Sequence, residues 1–172
     1  LVLGAGAVAG APLAESPDVD LVSFTGGVAT GKTIAAAAAG TVKKVALELG
    51  GKNPNVVFAD ADFDAALDNA LNAAFVHSGQ VCSAGARLLV EEPIAERFVD
   101  ELVRRARMIR MGGPFDEDAE TGPLISAAHR DKVTAYVNKA VEEGARIRCG
   151  GTWGTGDLEK GFYYAPTVLD NV

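Results

Sequence analysis

Short apolar runs alternate along the chain with longer stretches whose apolar residues recur at three-and-four spacing, the marks of strand and helix respectively. The run Leu1, Val2, Leu3 meets a glycine-rich stretch from Gly4 to Gly10, and residues 8–15 read as a short helix stopped by Ser16 and Pro17. Residues 21–25 predict a buried strand, broken by Gly26 and Gly27. The alanine-rich residues 30–39 predict a helix by propensity, closed by Gly40. Strands follow at 43–49 and 55–58, with Gly50 and Gly51 between them. Asp62 caps a helix with Phe63, Leu67, Ala70, Leu71, Ala74 and Phe75 on one face. Its period fails at Ser78, Gly79 and Gln80, just ahead of Cys82. Next come a strand at 87–90, a helix over 93–110, a loop over 111–122 and a helix over 126–143 that turns Val133, Tyr136, Val137 and Ala140 inward. A strand at 145–149, a glycine-rich loop over 150–161 and a strand at 163–169 complete the pattern.

This alternation implies an α/β fold of parallel sheets flanked by helices. Before Gly50 the strand–helix units have glycine-rich turns, and beyond it the helices are longer and more charged. The domain boundary is therefore expected there, with residues 1–50 in one domain and 51–172 in the next. The 172 residues are 48% apolar and 23% charged, which excludes disorder for most of the chain. A net charge of −7 argues against a nucleic-acid surface and against an anionic membrane. Two cysteines make no disulfide scaffold and suit a reducing, cytoplasmic setting. No uncharged apolar run reaches transmembrane length. The chain has neither a starting Met nor a basic leader and stops just after an apparent strand, so an internal fragment is expected.

Residues 26–33 read GGVATGKT, which satisfies G-x-x-x-x-G-K-S/T between a strand and a helix. Two readings stay open: a phosphate-binding loop with Lys32 at a terminal phosphate, or an ordinary strand–turn–helix with glycines at the turn. Residues 4–10 resemble a dinucleotide fingerprint with one residue too many between the last glycines, and read better as a plain turn. Glu48, near the end of an apolar strand, is expected to be partly buried, which raises a carboxyl toward the general-base range. The alternative is a structural pairing with Lys43, Lys44 or Lys52. Cys82 falls on a turn instead of a packed helix face, where a thiolate has backbone N–H groups nearby and room for substrate. Cys149 fits a small buried hydrophobe. His77, at a helix end, is a poor base for Cys82, and His129 reads as solvated. The histidines and cysteines lack metal-ligand spacing, so no metal site is expected.

The motifs Ser23-Phe24-Thr25-Gly26, Leu47-Glu48-Leu49-Gly50-Gly51-Lys52-Asn53-Pro54-Asn55, Gly79-Gln80-Val81-Cys82-Ser83-Ala84 and Gly122-Pro123-Leu124-Ile125 carry a resemblance. In their order and spacing the chain resembles the aldehyde dehydrogenase family over essentially all its residues, and is most similar to the betaine-aldehyde branch. It would be part of a family-length chain. The resemblance implies the end of a Rossmann-like cofactor domain joined to part of the catalytic domain. It implies Cys82 as nucleophile and Glu48 as general base, with Val81 and Ser83 at the substrate. It implies NAD+, or NADP+, held by Thr25, Gly26, Gly27, Thr30, Gly31, Leu49 and Gly50, and a deceptive phosphate-loop match with Lys32 exposed. The family commonly has Ser where this chain has Gly27 and an aliphatic residue where it has Thr30, so a hydroxyl contact to the pyrophosphate at Gly27 is not carried over.

The implied reaction oxidises an aldehyde to the acid through a Cys82 thioester, which water activated by Glu48 hydrolyses. The family's asparagine donor to the oxyanion and its ribose-gripping residues are expected outside this chain, which alone is not expected to turn over. A homo-dimer or homo-tetramer acting on a small aldehyde is implied, with no nucleic-acid or membrane partner. Two other classes remain as alternatives: a nucleotide hydrolase using Gly26 to Thr33, and a catalytically silent piece that only packs or oligomerises.

Overall fold

A computed structural model describes all 172 residues, Leu1–Val172, which divide into two compact units, Leu1–Gly51 and Lys52–Val172. In the first unit, β1 (Leu21–Gly26) and β2 (Lys44–Leu49) pair in parallel, in register from Leu21 opposite Lys44 to Gly26 opposite Leu49. Exposure alternates residue by residue along both strands, as a pleated strand with one covered face requires. The helix α2 (Val28–Ala39) connects them and buries Gly31 and Ala38. A Cβ on Gly31 would lie 2.8 Å from a Leu49 methyl, so the missing side chain is what lets α2 approach β2. Ahead of β1 stands the short helix α1 (Ala11–Glu15), entered through a π-helical turn at Gly6–Gly10. The apolar run Leu1, Val2, Leu3 is fully exposed and forms no strand. A strand exists only through its ladder, and these residues have no ladder partner.

In the second unit, β3 (Pro54–Val57) and β4 (Arg87–Val90) pair in parallel. Between them runs α3 (Phe63–Phe75), whose cap Asp62 accepts the Ala65 N–H at 3.0 Å. The next helix, α4 (Glu92–Ala106), packs on α3. Leu67 and Phe98 are completely buried between them, and Phe63 meets Phe98 edge to face at 5.5 Å. Burying a side chain of that size contributes about 1.5–3 kcal/mol. Arg105 ties the two helices together on the outside, bonding Asp64 at 2.7 Å and Asp68 at 2.6 Å. α5 (Ala127–Glu142) begins at Ser126, whose hydroxyl accepts the His129 N–H.

Three expectations change in this unit. First, β5 (Arg146–Cys149) and β6 (Val168–Asp170) pair antiparallel, because the chain returns through a loop and not through a covering helix. Second, the strand expected over 163–169 shortens to β6, since Pro166 has no N–H to give and Thr167 spends its hydroxyl on the Ala165 carbonyl and the Gly151 N–H. Third, Tyr136 points outward at 64% exposure, while Val137 takes the buried position on α5. No helix is long and apolar enough to cross a membrane.

Candidate active site

Beyond α3, residues His77, Ser78 and Gly79 take three successive left-handed conformations, with φ of 50°, 57° and 73°. For a residue with a side chain this region costs about 1–2 kcal/mol, so neighbours must hold the segment. Ser78 Oγ donates to the Gly122 carbonyl at 2.7 Å and lies 3.0 Å from the Thr121 hydroxyl. Gln80 Oε1 accepts the Ile125 N–H at 3.0 Å. His77 contributes only its carbonyl, to the Gln80 N–H, and its ring bonds nothing.

Val81, Cys82, Ser83 and Ala84 then form a turn, closed by the Ala84 N–H on the Val81 carbonyl at 3.1 Å. Cys82 sits exposed at its corner. The backbone N–H groups of Cys82 and Ser83 donate to no acceptor in the protein. Asn53, just ahead of β3, donates its amide to the Cys82 carbonyl at 2.8 Å and to the Ala84 carbonyl at 3.5 Å. The buried Gly85 continues the chain, its N–H on the Ala73 carbonyl at 3.0 Å. An exposed thiol beside free N–H donors can attack a carbonyl carbon and hold the oxygen that becomes negative. Val81, Cys82 and Ser83 are thus brought together on one turn. Cys149 is the contrast: it is 7% exposed, its Sγ lies 3.8 Å from the Pro166 carbonyl, and burial pushes its thiol pKa up.

The other candidates gather in the first unit. Thr25 and Gly26 end β1, opposite Glu48 and Leu49 of β2. Gly27 links β1 to α2, Thr30 stands in the first turn of α2, and Gly50 follows β2. These residues meet at the carboxyl ends of parallel strands, where open α/β sheets take ligands. The start of α2 has no side-chain cap, which leaves its first N–H groups free for an anion. Gly31 donates its own N–H to the Gly27 carbonyl at 3.0 Å and serves the packing against Leu49.

Glu48 departs from expectation. It is exposed and makes no ion pair, so neither partial burial nor a lysine partner is found. The alternation of β2 puts it on the uncovered face with Lys44 and Ala46. The phosphate-loop reading also fails. Only Gly27 separates β1 from α2, so residues 28–33 are already helix and cannot wrap a phosphate. The Thr33 hydroxyl donates to the Ala29 carbonyl at 3.2 Å, and Lys32 is exposed.

The model of the aldehyde dehydrogenase family matches residues 1–172. The chain belongs to the aldehyde dehydrogenase family. It is 58% identical over 172 residues to a betaine aldehyde dehydrogenase of Bacillus subtilis (strain 168), covering 99% of this chain and 35% of that one. A chloroplastic betaine aldehyde dehydrogenase of Beta vulgaris is 45% identical over 100% of this chain and 34% of its own. Among solved structures, betaine aldehyde dehydrogenase of Staphylococcus aureus in complex with NAD+ superposes with a TM-score of 0.97 at 49% identity, over 100% of this chain and 34% of that one. The chain therefore spans about a third of the length of these relatives. The sequence pattern places Cys82 on a turn but does not show the residues that hold it. Asn53, Ser78 and Gln80 read only as motif letters or helix breakers. Polar side chains flanking a turn that has no ladder of its own were the available signal.

Proposed function

We propose that this aldehyde dehydrogenase chain carries the thiol and the base of an NAD+-dependent enzyme that oxidises betaine aldehyde, or a similar small aldehyde, to the acid. The observation that carries the proposal is the exposed Cys82 thiol beside two unused N–H donors. Support comes from the relatives' names and from the NAD+ held by the Staphylococcus aureus enzyme, which in another structure also has a BME-modified cysteine. In this reading residues 1–50 belong to the cofactor domain and 51–172 to the cysteine-bearing domain. The protein is a homo-dimer or homo-tetramer, which the family resemblance supports, and cytoplasmic, in keeping with its two free cysteines.

The residues present suit a dinucleotide. The uncapped start of α2 offers N–H donors to a pyrophosphate, and Gly27 has open space where a side chain would stand. Thr25, Gly26, Gly27, Thr30, Gly31, Leu49 and Gly50 would hold NAD+ or NADP+. Bound there, the cofactor supplies the hydride acceptor. The chain's own residues do the rest. The Cys82 thiolate bonds the aldehyde carbon, and the Cys82 N–H takes the oxyanion. Val81 and Ser83 flank the aldehyde as it approaches. Once the carbon has given up its hydride, Cys82 holds a thioester. Glu48 removes a proton from water, whose oxygen bonds the acyl carbon as the C–S bond breaks and the thiolate returns.

The test uses the full-length protein with betaine aldehyde and NAD+. NADH should form, Cys82→Ala should abolish it while NAD+ binding survives, and iodoacetamide should label Cys82 ahead of Cys149. NADH formation by Cys82→Ala, or preferential labelling of Cys149, overturns the proposal.

A further inference from the structure

Cys82 is held from both sides. Upstream, Ser78 and Gln80 anchor the left-handed segment to residues 121–125. Downstream, one side chain does the holding: the Asn53 amide spans the Cys82 and Ala84 carbonyls. Both partners are carbonyl oxygens, which only accept, so the amide must present its NH2 to them. The Asn53 main-chain carbonyl meanwhile accepts the Arg87 N–H at 3.4 Å. A single residue thus joins the entry of β3 to the cysteine turn and to the entry of β4.

We propose that Asn53 is a positioning residue, which fixes the Cys82 peptide through its amide so that the thiol and the Cys82 and Ser83 N–H groups stay aligned on one aldehyde. This role rests on the reading of Cys82 as the nucleophile. The Cys82 carbonyl direction sets ψ at Cys82, and with it the direction of the side chain relative to the Ser83 N–H. No other group holds that carbonyl. Cys82 is exposed, so packing does not hold it either. Attack on an aldehyde needs the thiol and the oxyanion donors in register, and an error near 1 Å costs about 100-fold. Alkylation by a small reagent needs only a reachable thiolate.

The test is the full-length protein with Asn53→Ala and Asn53→Asp. The aspartate keeps the shape but offers a carboxylate where the carbonyls need a donor. Both variants should lower the pre-steady-state NADH burst more than tenfold, with the NAD+ dissociation constant within twofold of the unsubstituted protein. A role in filling space alone would spare Asn53→Asp. In Asn53→Ala, iodoacetamide labelling of Cys82 should stay within about threefold, which separates alignment from thiol activation. Hydrogen exchange over residues 81–85 should rise at least tenfold in Asn53→Ala. A burst within twofold of normal in both variants overturns the proposal, as does labelling that falls in parallel with the burst or a loss of the thermal transition in both. Failure of the dehydrogenase reading looks different: there is no burst in the unsubstituted protein, or one that survives Cys82→Ala. The exchange measurement then still decides on Asn53, because unchanged exchange overturns the clamp whatever the enzyme does.

Discussion

The two units hold themselves together by different means. Leu1–Gly51 buries little beyond Ala14, Gly31 and Ala38, whereas Lys52–Val172 buries Leu67 and Phe98 completely and surrounds them with Val57, Ala70 and Leu102. Small residues let α2 lie close on β2 and leave backbone N–H groups open at the start of the helix. That suits recognition of an anion by main-chain donors. In the reading proposed for Cys82, the second unit has a different problem, which is to keep one exposed thiol still. It solves it with side-chain hydrogen bonds to a turn, braced by an apolar core. A binding surface can be built from backbone alone, but covalent chemistry needs a particular atom held in place.

The comparison breaks most directly at Glu48, the one residue of the first unit proposed to do chemistry. Glu48→Gln should preserve the NADH burst, since a base for the deacylating water is not needed to form the thioester. Steady-state turnover should fall about 100-fold or more. Rapid-quench or stopped-flow measurement separates the two, and equal loss of both would mean that Glu48 also activates the thiol.

The next effect is on stability. Phe98→Ala should destabilise the second unit by about 3–5 kcal/mol, read as a lower urea midpoint. Ala38→Gly, in the alanine-built helix of the first unit, should cost only about 1 kcal/mol. Equal costs would mean that the first unit relies on its core as much as the second does.

A smaller effect is expected at Lys32. If main-chain donors do the binding, Lys32→Ala should weaken NAD+ by less than about tenfold, or 1.4 kcal/mol, in a calorimetric titration. No ATP hydrolysis should appear before or after the change.

The smallest effect concerns the outside of α4. Hydrogen bonds from Arg104 and then Arg105 hold the Glu101 carboxyl at about 2, below its ordinary 4.5. Above 4.5 both folded and unfolded chains carry the charge. As pH falls from 4.5 toward 2 the unfolded chain takes up the proton first, so this group's contribution to stability is lost across that window. Glu101→Gln should lower the melting temperature slightly near neutrality, slightly because the pair is solvent-screened, and should flatten its fall between those pH values by the same small amount.

Much of this was legible from local pattern. The three-and-four spacing in α3 located its buried face, and the failure of that spacing at Ser78 put Cys82 on a turn. Where pattern misled, the deciding contact was distant in the chain. The run at Leu1 had the apolarity of a strand but no neighbour to pair with. Glu48 had the apolar flanks of a buried residue, yet one face of its two-stranded sheet stands open. The phosphate-loop letters at Gly26 to Thr33 were present, but α2 starts too early for them to form a loop.

The sequence by itself determined the α/β class and, apart from the run at Leu1, the order of elements, because periodicity is a property of neighbours along the chain. The tertiary structure decided the antiparallel return of β6, the exposure of Glu48 and the clamp of Asn53 on a turn 29 residues away. Those depend on which backbone groups find a partner once the chain has closed on itself, and a hydrogen bond across such a separation leaves no period to read.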